Sequence, residues 1–213
     1  MDSKELGHVL AAVLILFVVA SFSFVLKGEY EIIPQILFFA FIIIAVNVFA
    51  KVIMAYLVDA SVEHRIWHVY RFGVKPGRHF KKELPFGVIL PLVFSVFSLG
   101  VFKLMTFLSY ETRALKYRAA KRFGYYSHTE MTDWHNGLIG AAGIVALLIL
   151  SAVSYIPDFE YLSKLAAYYA FFNMLPISNL DGTQIFFGSR IIWTVLAFLS
   201  LIFALYALFL LGV

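Results

Sequence analysis

IIPQILFFAFIIIAVNVFAK, running from Ile32 to Lys51, carries no charge until its last residue. Its apolar residues neither alternate with polar ones nor keep to one face, so a half-buried strand and a surface helix are both poor accounts of it. A helix needs ~20 residues to cross the ~30 Å hydrocarbon layer of a bilayer, and this run has that length. The pattern recurs outward in both directions, since Val9 to Leu26 and Ile191 to Val213 are also free of charge. The whole chain agrees, with 213 residues that are 62% hydrophobic and 14% charged. A soluble domain is nearer half apolar and a quarter charged. The sequence therefore predicts an all-α polytopic membrane protein, a single membrane domain over 1–213, with the lipid bilayer as its first partner.

Spans are expected at about 8–26, 32–58, 137–156, 162–177 and 190–212, about five transmembrane helices, the fourth broken at Pro176. Two strongly basic stretches, 59–85 and 109–136, flank a mostly apolar segment at 86–108. Basic residues in short loops mark the cytoplasmic side, so a crossing at 86–108 would put one basic loop outside. Pro85, Gly87, Pro91 and Gly100 also interrupt regular structure there. Residues 86–108 are accordingly expected to be re-entrant or to lie at the membrane surface. The resulting topology is a multi-pass cell-membrane protein with a cytoplasmic N-terminus, acidic turns at 27–31 and 157–161 outside, and an outside C-terminus. The net charge of +4 then reports topology, not nucleic-acid binding. The absence of cysteine removes disulfides and any thiolate metal site.

A charge at the bilayer centre costs at least ~2.5–3.5 kcal/mol, so each polar residue at depth needs a reason. Asn47 and Lys51, four apart, share one face of the second span. A helix–helix hydrogen bond for Asn47 and snorkelling for Lys51 are the plain explanations. Asp181 follows the break in Asn173-Met-Leu-Pro176-Ile-Ser-Asn-Leu180-Asp181-Gly182. Broken membrane helices commonly line a site, although Asp-Gly is also ordinary turn chemistry.

Asn173, Pro176 and Leu180-Asp181-Gly182 resemble the N-x-x-P-x-x-x-L-D-G motif of the site-2 protease family, the intramembrane zinc metalloproteases. FFNMLPISNLDGTQIFFGSR and the upstream YRAAKRFGYYSHTEMTDWHNGLIGAAGI are similar to archaeal members, and the likeness covers about residues 32–195. The resemblance implies a site-2-protease-like helical bundle in which the aspartate is the third zinc ligand. The other two would be histidines of an H-E-x-x-H motif, whose glutamate takes a proton from zinc-bound water. This chain has no His-Glu pair.

Two alignments follow. In the first, Asn47-Val48-Phe49-Ala50-Lys51 occupies the motif at membrane depth, and both histidines and the base are replaced. In the second, His64-Arg65-Ile66-Trp67-His68 keeps the histidines, with Arg65 where the base should be. The two lie ~25 Å apart if the helix continues, so only one is expected beside Asp181. The first is preferred, leaving His64 and His68 as ordinary histidines of a polar cytoplasmic stretch. His128 and His135 beside Glu130 are read the same way. Asn47, Lys51 and Asp181 then form a vestigial site with no catalytic residue and no cofactor expected, and the Lys51 ammonium is expected to pair with Asp181 in place of the metal. The implied function is a non-catalytic pseudoprotease that binds transmembrane or peptide segments of other proteins. The alternative is an active zinc enzyme using His64, His68 and Asp181. A transporter or a structural subunit is a further class, with no inverted repeat to support transport.

Overall fold

A computed structural model of the chain describes residues 3–71, 79–115, 131–155 and 159–209. Helices α1 (Ser3–Lys27) and α2 (Ile33–Leu57) are joined by a turn at Gly28 and one 3-10 turn at Tyr30–Ile32. Pro34 sits in the first turn of α2, where a missing N–H leaves no helical bond unmade. Four helical stretches are long and apolar enough to cross a membrane: Ser3–Lys27, Tyr30–Leu57, Asp133–Tyr155 and Arg190–Phe209. Phe38, Phe41, Phe49, Phe198 and Ile202 point outward from them, an apolar exterior suited to lipid and unsuited to water. The chain is a mostly helical membrane protein.

The fourth expected span is corrected. Residues 162–177 correspond to a helix of 14 residues, α5 (Glu160–Asn173), after α4 (Asp133–Tyr155). At 1.5 Å per residue it is ~21 Å long, too short to cross. Pro176 accounts for the stop, because the residue before a proline is pushed out of helical geometry. The chain resumes as the short α6 (Asp181–Gly188) and ends in α7 (Arg190–Phe209).

The helical expectation holds for most of the chain, and short strands are added to it. In the stretches read as polar loops, β1 (Ala60–Ile66) pairs antiparallel with β4 (Leu108–Ala114), Ala60 opposite Ala114 and Ile66 opposite Leu108. A second ribbon pairs β2 (Val69–Arg71) with β3 (His79–Leu84). The alternation that makes β1 and β4 strands is visible in ASVEHRI and LSYETRA. Ala60, His64, Leu108 and Tyr110 turn inward and are buried. Glu63, Arg65, Glu111 and Arg113 turn outward, where the arginines bridge two glutamates that stand opposite each other. Helix α2 gives way to β1 at Asp59, whose positive φ of 55° reverses the chain.

Helix α3 (Phe86–Phe97) starts beside this sheet, where Gly87 donates to the Trp67 carbonyl and Trp67 donates to that of Phe107. Its far end reaches Gly100, which packs against the Ser23 backbone near the end of α1. The chain then returns through buried Met105 and Phe107 to β4. At the centre stands α4, 56% buried along its apolar window against 22% for α7. Its Gly137, Gly140, Ala141 and Gly143 let neighbouring elements approach closely, as small residues do between membrane helices. The acidic turn 157–161 begins outside the described residues, Asp158 among them; the last three residues of the span expected at 190–212, and Val213 after it, also lie outside them.

A buried lysine–aspartate site

Helix α2 presents Asn47 and Lys51, one turn apart, to α4. Gly143 makes the space: a Cβ there would stand 2.7 Å from Lys51 Cε and 3.3 Å from Asn47 Oδ1. The third residue arrives from the broken segment. Asn173, at the end of α5, donates to the carbonyls of Met105 (3.2 Å) and Tyr169 (2.8 Å) and anchors the break to the returning chain. Pro176 lies within the break, Ser178 takes a positive φ of 52°, and buried Leu180 is extended. Asp181 then opens α6. Gly182 is required there, because a Cβ would stand 2.1 Å from the Met174 carbonyl oxygen.

Lys51 Nζ lies 2.6 Å from Asp181 Oδ2, with the two side chains 2% and 0% exposed. The contact is an ion pair by distance, and neither Asp181 oxygen has hydrogen-bond geometry to a donor. Tyr110 of β4 forms the other wall. Lys51 Nζ stands 4.7 Å from its ring centroid, a cation–π contact, and the phenol donates to the Asn136 carbonyl at 2.6 Å. Burial pushes the Tyr110 phenol well above its ordinary pKa, and the Asp181 charge adds to the rise, so it stays a donor. Both amide atoms of Asn47 and the Thr183 hydroxyl are buried without partners.

His64 belongs to this neighbourhood, against expectation. It was expected in an exposed polar stretch far along a continuing helix from Asn47. Instead the reversal at Asp59 folds β1 back, and His64 is fully buried opposite Tyr110. Its Nδ1 lies 3.0 Å from Glu5 Oε1, which also accepts from the His64 backbone N–H at 3.2 Å. Burial lowers the His64 pKa to about 4, with Lys51 adding to the drop and Glu5 opposing it. The ring is therefore neutral near pH 7, Nδ1 donates to Glu5, and the buried Nε2 keeps a lone pair with no partner. The short distance to Glu5 marks a hydrogen bond, not a salt bridge.

The alternative set of His64, His68 and Asp181 is not brought together. His64 lies in a strand and His68 just beyond it, so the two are ~13 Å apart along extended chain instead of stacked on one helical face. His68 turns its Nδ1 to the Ile66 carbonyl. His128 and Glu130 lie outside the described residues, and His135 contacts Thr132. Among the described residues no three histidines or carboxylates group closely enough to hold a metal. The donors beside Asp181 do not suit zinc, since an ammonium repels a cation and a carboxamide is a weak ligand.

Sequence reasoning missed Glu5, Tyr110 and the position of His64. The one usable signal was the strand alternation that turns Tyr110 and His64 to the same side as Leu108 and Ala60. Next to the pair, a polar cleft of about 620 Å³ is lined by Ser109 to Thr112 of β4, Asn136, Asn179 and Gln184. Gln184 Nε2 donates to the Tyr110 carbonyl at 2.9 Å, so at Tyr110 the cleft side of β4 is bonded to a side chain and not to another strand. No protein-family model, no curated protein and no solved structure matches this chain.

Proposed function

We propose that this protein is a site-2-protease-like pseudoenzyme of the membrane, which binds peptide or transmembrane segments without cutting them. The observation that carries the reading is the Lys51–Asp181 ion pair. The motif resemblance gives Lys51 the place of the second metal-binding histidine and Asp181 that of the third ligand. An ammonium there neutralises the aspartate as the ion would, and leaves no Lewis acid to activate water. No carboxylate occupies the place of the general base, because that position in the alignment is Val48.

The cleft beside β4 supports the binding half of the reading. An extended segment can add to a sheet edge, with main-chain hydrogen bonds giving affinity and alternate side chains giving choice. Release of the Tyr110 carbonyl by Gln184 would open one such position. The topology fits the same picture. Pairing of β1 with β4 and the Glu5–His64 contact place the N-terminus and the starts of both basic stretches at one end of the bundle. That end is then cytoplasmic by its lysines and arginines. On this reading residues 86–108 would enter from that end and return to it, turning near Gly100, which packs against the Ser23 backbone.

The test uses the full chain, purified in detergent without chelator and then reconstituted. Metal analysis is expected to find no stoichiometric zinc. A photo-crosslinker at Asn179 should capture added transmembrane peptides intact, and capture should persist in chelator. About one zinc per chain, or peptide cleavage that stops on chelation, would overturn the reading.

A further inference from the structure

A second cavity, of about 480 Å³, lies at the opposite end of the bundle from β1 and β4. It collects Lys27 from the last turn of α1, Lys103 from the chain returning past Gly100, and Lys164 from α5. Lysines at helix ends usually snorkel singly toward water. Lys103 does not. Its Nζ donates to the Tyr161 hydroxyl at 3.2 Å and lies 5.2 Å from the Tyr161 ring and 5.7 Å from that of Phe24. Tyr161 is itself fixed, donating to the Ala20 carbonyl at 2.8 Å and packing edge-on against Phe24. The amine is therefore held inward by a preformed aromatic cradle. Burial, then the charges of Lys164 and Lys27, lower its pKa to about 8. Among the described residues no carboxylate lies within salt-bridge distance of Lys103, and Glu160 is the one acid lining the cavity.

Lys103 and Lys27 bring like charges to one cavity, which favours an anion between them, and each ammonium brings donors for it. The rest of the wall is apolar, with Phe39, Phe159 and Leu208 beside the lysines and Leu26 and Val101 exposed at its margin. Such a wall suits hydrocarbon next to a charged group. We propose that this cavity binds the phosphodiester of an anionic phospholipid, with the lysines on the phosphate oxygens and the acyl chains along the aromatic wall. A choline headgroup fits poorly, because its fixed positive charge would enter the same cluster. The site is separate from the Lys51–Asp181 pair and does not depend on the reading of that pair.

The experiment reconstitutes the full chain into phosphatidylcholine nanodiscs with a minor fraction of phosphatidylglycerol. Native mass spectrometry then compares retained lipid with bulk lipid. Retained phosphatidylglycerol is expected to be enriched, with Lys103→Gln lowering the enrichment ~5-fold, the equivalent of ~1 kcal/mol per lysine near a lipid surface. Lys27→Gln, an exposed change that leaves the cradle intact, should lower it in the same direction. Lys82→Gln, on β3 and away from the cavity, should leave it unchanged. Equal enrichment in wild type, Lys103→Gln and Lys27→Gln overturns the site. Displacement of the lipid by millimolar inorganic phosphate, with phosphate retained in its place, overturns the lipid as the source of the anion.

Discussion

Replacing Lys51 with methionine removes one charge from a pair that water does not reach. At 2.6 Å and an effective dielectric of ~20, the direct attraction is ~6 kcal/mol, most of it offset by the desolvation of both ions. The loss on Lys51→Met is set by what the stranded Asp181 does next. Burial already raises its pKa in the intact pair, where Lys51 opposes the rise. Without Lys51 the carboxyl escapes its penalty by staying protonated. Holding a group of ordinary pKa ~3.9 in its acid form at pH 7 costs ~4 kcal/mol, at ~1.36 kcal/mol per pH unit. This agrees with the ~3–5 kcal/mol typical of breaking a buried pair from one side. It also fixes the sign of the pH dependence. The variant's folded carboxyl titrates above its unfolded value, so the variant is most stable at low pH and weakens as pH rises past ~4. At pH 5 the loss should be only ~1.5 kcal/mol. Lys51→Met combined with Asp181→Leu leaves no stranded charge and should recover most of the loss, giving a positive coupling in a double-mutant cycle. The assay is reversible unfolding in mixed micelles at pH 5 and pH 7. A single variant within ~1 kcal/mol of wild type at pH 7, or one whose loss does not grow with pH, would refute the pairing.

Gly182→Ala should cost more than ~3 kcal/mol or prevent folding, because the obstructing atoms belong to the Met174 backbone and cannot swing away; expression and thermal unfolding check it. Gly143→Ala should cost ~1–3 kcal/mol, less because the atom met is in the Lys51 side chain. It should cost little more when Lys51 is already methionine. His64, neutral at pH 7 and with a pKa lowered to about 4, should make the protein lose stability as pH falls from ~6.5 toward that value, by up to ~1.4 kcal/mol per unit. Acid titration of wild type against His64→Asn should show that slope only in the wild type.

The span pattern was legible because lipid imposes a length and excludes charge, so α1, α2, α4 and α7 announce themselves in Val9–Leu26, Ile32–Ala50, 137–156 and Ile191 onward. The fourth expected span failed because hydropathy does not count turns. The stretch 162–177 is apolar enough, but its helix begins at Glu160 and Pro176 ends it early. The strands were missed for a different reason. Their outward residues, Glu63, Arg65, Glu111 and Arg113, are charged, and in a membrane protein such runs look like loop whatever their backbone does. ASVEHRI has a period-two pattern, but the i, i+4 spacing of His64 and His68 suits a helix face equally well.

The site divides along the same line. Asn47, Lys51 and Asp181 could be picked out because each is a polar residue where hydrocarbon makes polarity expensive. Tyr110, His64 and Glu5 could not, because they come from segments where polar residues are ordinary and only the fold makes them buried. The reversal at Asp59 is what changes their status. One residue with positive φ turns the end of α2 into β1 and delivers a neutral imidazole, that of His64, to the neighbourhood of Lys51. A protein that needed only to neutralise Asp181 could have used an apolar residue in its place, at little or negative cost in stability. Asp181 paired with Lys51, beside the buried polar atoms of Asn47, Thr183 and His64 Nε2, gives the inside of the bundle a polar surface. On the proposed reading, such a surface would favour a partner that brings its own donors and acceptors, which an extended backbone does and a lipid chain does not.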